Sequence, residues 1–314
     1  MKIAIIGARR ERNGIGGYIA KYFHQNGGQV VCVLGTSEAT ASRASEALAP
    51  YGIKARPYRD FSEMTDREDL DAVAIASPAE THYTYLCASI DLGLSVFCEK
   101  PFLDPSRDDM PGDLETLFHL AMRKGTTVAM NSQWPFCLPA YEELCGRLNP
   151  REIRRFSIRL SPLSEGAAMI PDSVPHGLSL LHAVLGPGTV HDLDFERGDG
   201  SLGVSFTYAS AFSECEASMQ LVRETRQPRT FSFGFNGRIA ERFIDMANYD
   251  IFLGFGDRQV PVPDPLQLSV RNFMEARASG LHPVVGSDHI IATSLNLKQI
   301  FSSYAQLERT KWKS

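Results

Sequence analysis

The sequence has no apolar run near the ~20 residues that a membrane-spanning helix needs. It also has no basic tract and no interleaving of arginines with aromatics. With 32 Lys and Arg against 37 Asp and Glu, the net charge is −5, which excludes nucleic acid and an anionic membrane as main partners. The opening MKIAIIGARR carries only a short apolar run that ends at Gly7 and charge, with no cleavage-site pattern. It reads as a buried strand, not a signal peptide. The six cysteines (Cys32, Cys87, Cys98, Cys137, Cys145 and Cys215) lack paired metal-ligand spacing, and the histidines lack it too. Reduced, buried thiols in a cytoplasmic protein without a metal are expected. No internal repeat or low-complexity linker is present. What remains is an ordinary globular composition, 43% apolar and 22% charged, over 314 residues, enough for two domains.

The two halves follow different patterns. Up to about residue 130, short apolar segments (KIAIIG, QVVCVLG, DAVAIAS, LSVFCE, TTVAMN) alternate with helical ones. In the first helix Ile15, Ile19 and Phe23 recur at helical spacing before Gly27 and Gly28 stop the run. Apolar strands separated by helices predict a Rossmann-like, doubly wound parallel sheet. Beyond about residue 150, IRRFSIRLS, GVSFTYA, ECEASMQLV, TFSFGFN and ERFIDMA succeed one another without helices between them, predicting a mostly antiparallel sheet. VPHGLSLLHAVLG and a C-terminal segment over residues 287–310 supply helices. The expected fold is therefore α/β: a dinucleotide-binding domain over 1–130 and an α+β domain over 131–314 for substrate binding and oligomerisation.

The first strand runs into a glycine-rich turn, with Gly7 and Ala8 leading to Gly14, Ile15 and Gly16 at the start of a helix. Such a turn brings backbone amides and a helix N-terminus to a pyrophosphate. The usual G-x-G-x-x-G spacing is broken by residues 9–13, in which Arg9 and Arg12 are placed to meet phosphate or to be solvated loop charge. The second strand ends in Leu34-Gly35-Thr36-Ser37, with no acid before Glu38. A carboxylate there accepts from the ribose of NAD and repels a 2′-phosphate. Thr36 and Ser37, backed by Arg43, favour NADP(H); Glu38 keeps NAD(H) open as the alternative.

The stretch 77–101, SPAETHYTYLCASIDLGLSVFCEKP, carries the chemistry. Lys100 follows an apolar strand at what would be a carboxyl end, on a loop restricted by Pro101, where a lysine can polarise or protonate a reacting atom. A solvated turn is the bland reading. In the second half, Asp172 and His176 stand four apart, on one helix face, as a proton-transfer pair would. The alternative is that Asp172, before Ser173 and Pro175, caps the helix and His176 packs.

Ser77, Pro78, His82, Gly93 and Glu99-Lys100-Pro101, in that spacing, resemble the glucose-fructose oxidoreductase/inositol dehydrogenase family. Asp172, His176 and Gly186 keep the register of that family's second motif. The resemblance implies that Lys100, Asp172 and His176 meet over a nicotinamide at a domain cleft. It further implies that Ser77, Pro78, His82, Glu99 and Lys100 border the cofactor, His82 as the anchor of its helix. His176 would move a proton, Lys100 would steady the reacting heteroatom, and Asp172 would orient or bind. Ser179 stands where family sugar dehydrogenases often carry a second Asp, and Asn131-Ser132-Gln133-Trp134-Pro135 stands where many carry an Arg. Gln133, Trp134 and Ser179 then join Lys100, Asp172 and His176 as candidate substrate contacts, and a simple sugar becomes a less secure substrate. The expected activity is NADP(H)-dependent hydride transfer to or from a small polar molecule, in a homodimer or homotetramer. An imine or tetrapyrrole-type reductase and a non-catalytic dinucleotide-sensing regulator are the alternatives.

Overall fold

The computed structural model describes residues 1–8 and 14–311. They form two compact units, each described in turn. The first comprises Met1–Asp104, Pro111–Asn131 and Leu266–Ser287. Its strands are β1 (Lys2–Ile6), β2 (Gln29–Leu34), β3 (Arg56–Tyr58), β4 (Ala72–Ile75), β5 (Ser95–Glu99) and β6 (Val128–Asn131). They pair in the order β3-β2-β1-β4-β5-β6, all parallel, which is the doubly wound arrangement. The crossovers hold α1 (Gly16–Gln25), α2 (Glu38–Leu48), α3 (Phe61–Arg67), α4 (His82–Asp91) and α5 (Met110–Lys124). Every residue of β4 and β5 is buried, because a parallel sheet covered on both faces has no solvent side.

The second unit comprises Pro105–Met110, Ser132–Pro265 and residues from Asp288 onward. It contains α6 (Leu138–Cys145), β7 (Arg155–Leu160), α7 (Met169–Leu185), β8 (Gly188–Gly198), β9 (Ser201–Ser210), β10 (Glu214–Val222), β11 (Phe231–Phe235), β12 (Arg238–Asp245), β13 (Asp250–Phe255) and β14 (Arg258–Val262). The eight strands run β14-β13-β12-β11-β7-β10-β9-β8, antiparallel except for the parallel pair β7 and β10. In β10 the buried Cys215, Ala217, Met219 and Leu221 alternate with polar residues facing out. Helix α7 lies on the buried face, and Gly177 lets its backbone touch the sheet: a Cβ there would sit 2.5 Å from Cε of Met219. Tyr141 ties α6 to the sheet, accepting from Phe235 N at 2.9 Å and donating to Arg238 O at 2.6 Å.

Two helices close the chain, α8 (Pro265–Ser279) and α9 (Ser287–Lys311). The sequence reading assigned all of 131–314 to one domain. The structure instead returns Leu266–Ser287 to the first unit, where Phe273 meets Phe23 and Phe97 with ring centroids 6.0 and 5.5 Å apart. The reason is the apolar stripe Leu266, Val270 and Phe273, which is buried in that core. Among the described residues, no helix is long and apolar enough to cross a membrane, and the six cysteines are free.

Candidate cofactor and substrate sites

The turn after β1 is shaped by glycine. Gly7 has φ +80°, and a Cβ there would lie 2.7 Å from Ser77 N and 2.8 Å from Ala76 C. A Cβ on Gly16 would lie 2.8 Å from Gly7 O. The bare backbones of β1, α1 and the end of β4 therefore interlock. Ala8 is buried beneath the turn, with Gly14 and Ile15 half-buried. Ile15 caps α1 without a side-chain acceptor, and no acid stands in the first turn. Among the described residues no side chain caps the first amides of α1, so the residues present fit a dinucleotide diphosphate. Arg9 and Arg12, assigned to the same phosphate from sequence, lie outside the described residues.

At the end of β2 the hydroxyls have unequal roles. Ser37 is the N-cap of α2: its Oγ accepts from Thr40 N at 3.2 Å, and Thr40 Oγ1 accepts from Ser37 N at 2.8 Å. This capping box commits Ser37 to the helix, whereas Thr36 stays exposed, 3.4 Å from Thr40 Oγ1. Arg43 is also exposed and donates from Nε to Ala39 O at 3.2 Å. The sequence reading missed β3, and with it Arg59. Gly35 N donates to Tyr58 O at 2.9 Å, so Arg59 emerges at the same sheet end as Thr36. It helps line a depression of about 490 Å³ with Glu38, Arg56 and Glu63. Arg56 is held by Glu68, and Arg67 pairs with Glu63 at 3.1 Å. Arg59 has no such partner among the described residues. Arginine is common on any surface, and only adjacency to the end of β2 marks this one.

The ends of β4 and β5 are stitched together by His82. The imidazole is 1% exposed, with Nδ1 2.9 Å from Pro101 O and Nε2 2.9 Å from Ser77 O. Both ring nitrogens are spent on backbone carbonyls, so His82 holds the two loops that would border the cofactor, and its direct cofactor-binding role is withdrawn. Ser77 Oγ lies 2.7 Å from Thr81 Oγ1 and closes the turn that Pro78 begins. Glu99 is likewise buried, accepting from Asn131 Nδ2 across β5 and β6. Lys100 follows at the strand end, half-buried, and the Lys100–Pro101 peptide is cis.

In the second unit α7 begins at Met169 with Ala168 as its N-cap, so Asp172 lies inside the first turn and is not the cap. Asp172 accepts from Ser164 Oγ at 2.9 Å and stands one turn before the half-buried His176 on the same helix. The Trp134 ring meets the His176 ring edge-on, centroids 6.1 Å apart, and stacks on Phe231 at 3.7 Å. Gln133 precedes it, half-buried. Ser179 does not belong to this group. Its Oγ, 0% exposed, lies 2.9 Å from His289 Nε2 of α9. Its proposed contact with substrate is withdrawn for that reason. Burial, followed by the charge of His182, lowers the pKa of His289 to about 3, so this contact is made by a neutral ring. Sequence gave no signal for Arg242 of β12, whose guanidinium carbon lies 5.5 Å from both the Trp134 and Phe231 rings.

Residues 1–132 match the family model described as "Oxidoreductase family, NAD-binding Rossmann fold". Over 104 residues the chain is 34% identical to inositol 2-dehydrogenase of Klebsiella pneumoniae, 32% of this chain and 28% of that protein. The match thus spans little more than a quarter of the curated relative. Among solved structures, a UDP-N-acetylglucosamine 3-dehydrogenase from Acidithiobacillus ferrooxidans superposes with a TM-score of 0.71 at 18% identity, covering 96% of this chain and 97% of that one. A 3-ketoreductase variant from Actinomadura kijaniata, in complex with TDP-benzene and NADP, gives 0.69 at 19%, covering 96% and 97%. These structures share the fold over nearly the whole chain.

Proposed function

We propose that this chain, whose first 132 residues match an oxidoreductase family model with an NAD-binding Rossmann fold, is a member of the glucose-fructose oxidoreductase/inositol dehydrogenase family and an NADP(H)-dependent oxidoreductase acting on an alcohol or carbonyl of a small polar molecule. The observation that carries the reading is the glycine-shaped β1–α1 turn, with its uncapped helix start and no acid at the end of β2. The turn and the first amides of α1 would hold the diphosphate. Thr36 and Arg59, on adjacent strand ends, would meet a 2′-phosphate, with Arg43 and the loop arginines as further sources of charge. Bound NADP(H) supplies or accepts the hydride.

The remaining work falls to side chains. His176, whose imidazole can both accept and donate a proton, moves the proton of the reacting oxygen. Lys100 holds that oxygen through its ammonium and lowers the cost of charge developing on it. Asp172, fixed by Ser164, orients the substrate or the imidazole. The edge-on Trp134, stacked on Phe231, limits how the His176 ring can turn and forms an apolar wall, and Gln133 just before it offers a polar contact.

Support for self-association comes from the outward face of the large sheet, where Ile239 and Phe243 of β12 are 43% and 42% exposed. A homodimer or homotetramer in the cytoplasm is the form proposed, and light scattering tests it. The function itself is tested by a panel of polyols, sugars and their keto forms with NADPH and NADP⁺, followed by nicotinamide absorbance. Turnover with at least one polyol or keto sugar is expected, and NADPH should bind more tightly than NADH. Failure of either nicotinamide to bind would overturn the reading.

A further inference from the structure

Arg242 is a charge where the fold calls for an apolar side chain. On the helix-covered face of the large sheet, Leu221 pairs with Leu160, Leu160 with Phe231, Arg242 with Leu253, and Leu253 with Val260. The β11–β12 register, Ser232 opposite Glu241, sets Arg242 beside Phe231 and completes one row across the sheet. Every other member of that row is buried and apolar. A guanidinium costs several kcal/mol to desolvate unless a counter-charge meets it. Among the described residues no carboxylate pairs with Arg242, nor with its neighbour Arg229. Nη2 of Arg242 donates to Arg229 O at 2.5 Å, Arg229 Nη1 to Ser161 O at 3.2 Å, and Nε of Arg242 is buried with no partner among the described residues. Burial pulls the pKa of Arg242 below its ordinary value, and the like charge of Arg229 adds to the effect.

The same cluster holds a second orphan donor. Nε1 of Trp134, a residue only 5% exposed, has no acceptor among the described residues. Stacking on Phe231 and lying under Arg242 account for the indole face, and neither uses the N–H. Buried polar groups in folded proteins are satisfied almost without exception, so two orphan donors around one ring call for an acceptor beyond the described residues. His176 touches that same ring from its edge. An acceptor held there would belong to a molecule that also reaches the proposed proton-transfer residue.

We infer that the substrate is a sugar-like alcohol or ketone bearing a carboxylate, and that Arg242, with the Trp134 N–H, binds that carboxylate. The inference rests on the oxidoreductase reading and adds the substrate class. A carboxylate suits the site better than a phosphate dianion. Arg242 has Nη2 already engaged and offers a single charge, while Arg229 spends Nη1 on Ser161.

The test uses the full chain loaded with NADP⁺ and three matched pairs: D-glucuronate and D-glucose, D-galacturonate and D-galactose, D-gluconate and D-glucitol. Binding is measured by competition and calorimetry, and turnover by nicotinamide absorbance. At least one acid is expected to bind roughly 10- to 100-fold more tightly than its neutral partner, the worth of a charge-assisted contact in a partly buried site. Arg242→Met should abolish that advantage, and Arg242→Lys should keep part of it. Equal affinity within all three pairs would overturn the inference without recourse to any variant. So would an advantage that survives Arg242→Met in a folded protein. Turnover of neutral sugars with no gain for acids would leave the oxidoreductase reading standing and remove only the carboxylate. Loss of nicotinamide binding by the native chain would remove both.

Discussion

Replacing Gly7 by alanine tests whether the β1–α1 turn is as constrained as its contacts imply. Two costs apply. The residue sits at φ +80°, where a Cβ meets its own carbonyl, a penalty of roughly 1–2 kcal/mol. The new methyl also falls 2.7–2.8 Å from Ser77 N, Ala76 C and Ser77 Cα, all backbone of a central strand end that cannot swing away. Such overpacking adds about 1–3 kcal/mol. Gly93 supplies the control, because it has φ +77° but nothing within 4 Å of the added methyl. Gly93→Ala therefore bears the first cost alone, and the smaller entropy of the unfolded chain offsets both variants equally. In urea unfolding at 25 °C, Gly7→Ala should be less stable than Gly93→Ala by about 1–3 kcal/mol. NADPH affinity should fall in the first variant and hold in the second. Stabilities within 0.5 kcal/mol of each other would refute the interlocked turn.

Arg59→Ala should weaken NADPH binding roughly fivefold, the scale of ~1 kcal/mol for an exposed charge contact, and leave NADH within twofold; fluorescence titration with both cofactors decides it. His289 has a folded pKa of about 3 against an ordinary value of 6.5, so as pH falls the unfolded chain takes the proton first. The stability that this neutral ring provides is complete above pH 6.5 and is lost between 6.5 and about 3, at up to ~1.4 kcal/mol per pH unit. His289→Gln should flatten the decline in urea midpoint between pH 7 and pH 5. Ser179→Ala leaves that buried ring without its partner and should lower stability by about 1–3 kcal/mol while leaving turnover per folded molecule near native. A drop in turnover at constant stability would return Ser179 to the substrate site.

The strands of the first sheet were legible because burial on both faces writes them as unbroken apolar runs, as in AVAI of β4 and SVFC of β5. Strand β3 was not. Its three residues, RPY, include a proline and leave two side chains exposed, so no periodicity announces it, and Arg59 went unseen with it. The stripe Leu266, Val270 and Phe273 is visible in retrospect, but nothing local says that it docks against Phe23 and Phe97 some 170 to 250 positions earlier. The candidate site divides the same way. Lys100, Asp172 and His176 stood out through fixed spacing along the chain. His82 and Ser179 were misplaced because spacing does not reveal whether a polar side chain already has a buried partner. Arg242 was invisible because its meaning comes from sheet register, which puts a cation in a row of leucines and phenylalanine.

The most direct test of the account is steady-state turnover of Lys100→Met and His176→Asn, measured with the best acid or polyol found and NADP⁺ at saturation. Each variant should lose roughly 10²- to 10⁴-fold in kcat, the contribution of a positioned acid, base or charge. Melting temperature and NADPH affinity should stay near the native values, since Lys100 and His176 are half-buried and neither is proposed to support a core. Near-native turnover in both variants, or collapse of the fold in both, would contradict the claim that these side chains act on the substrate.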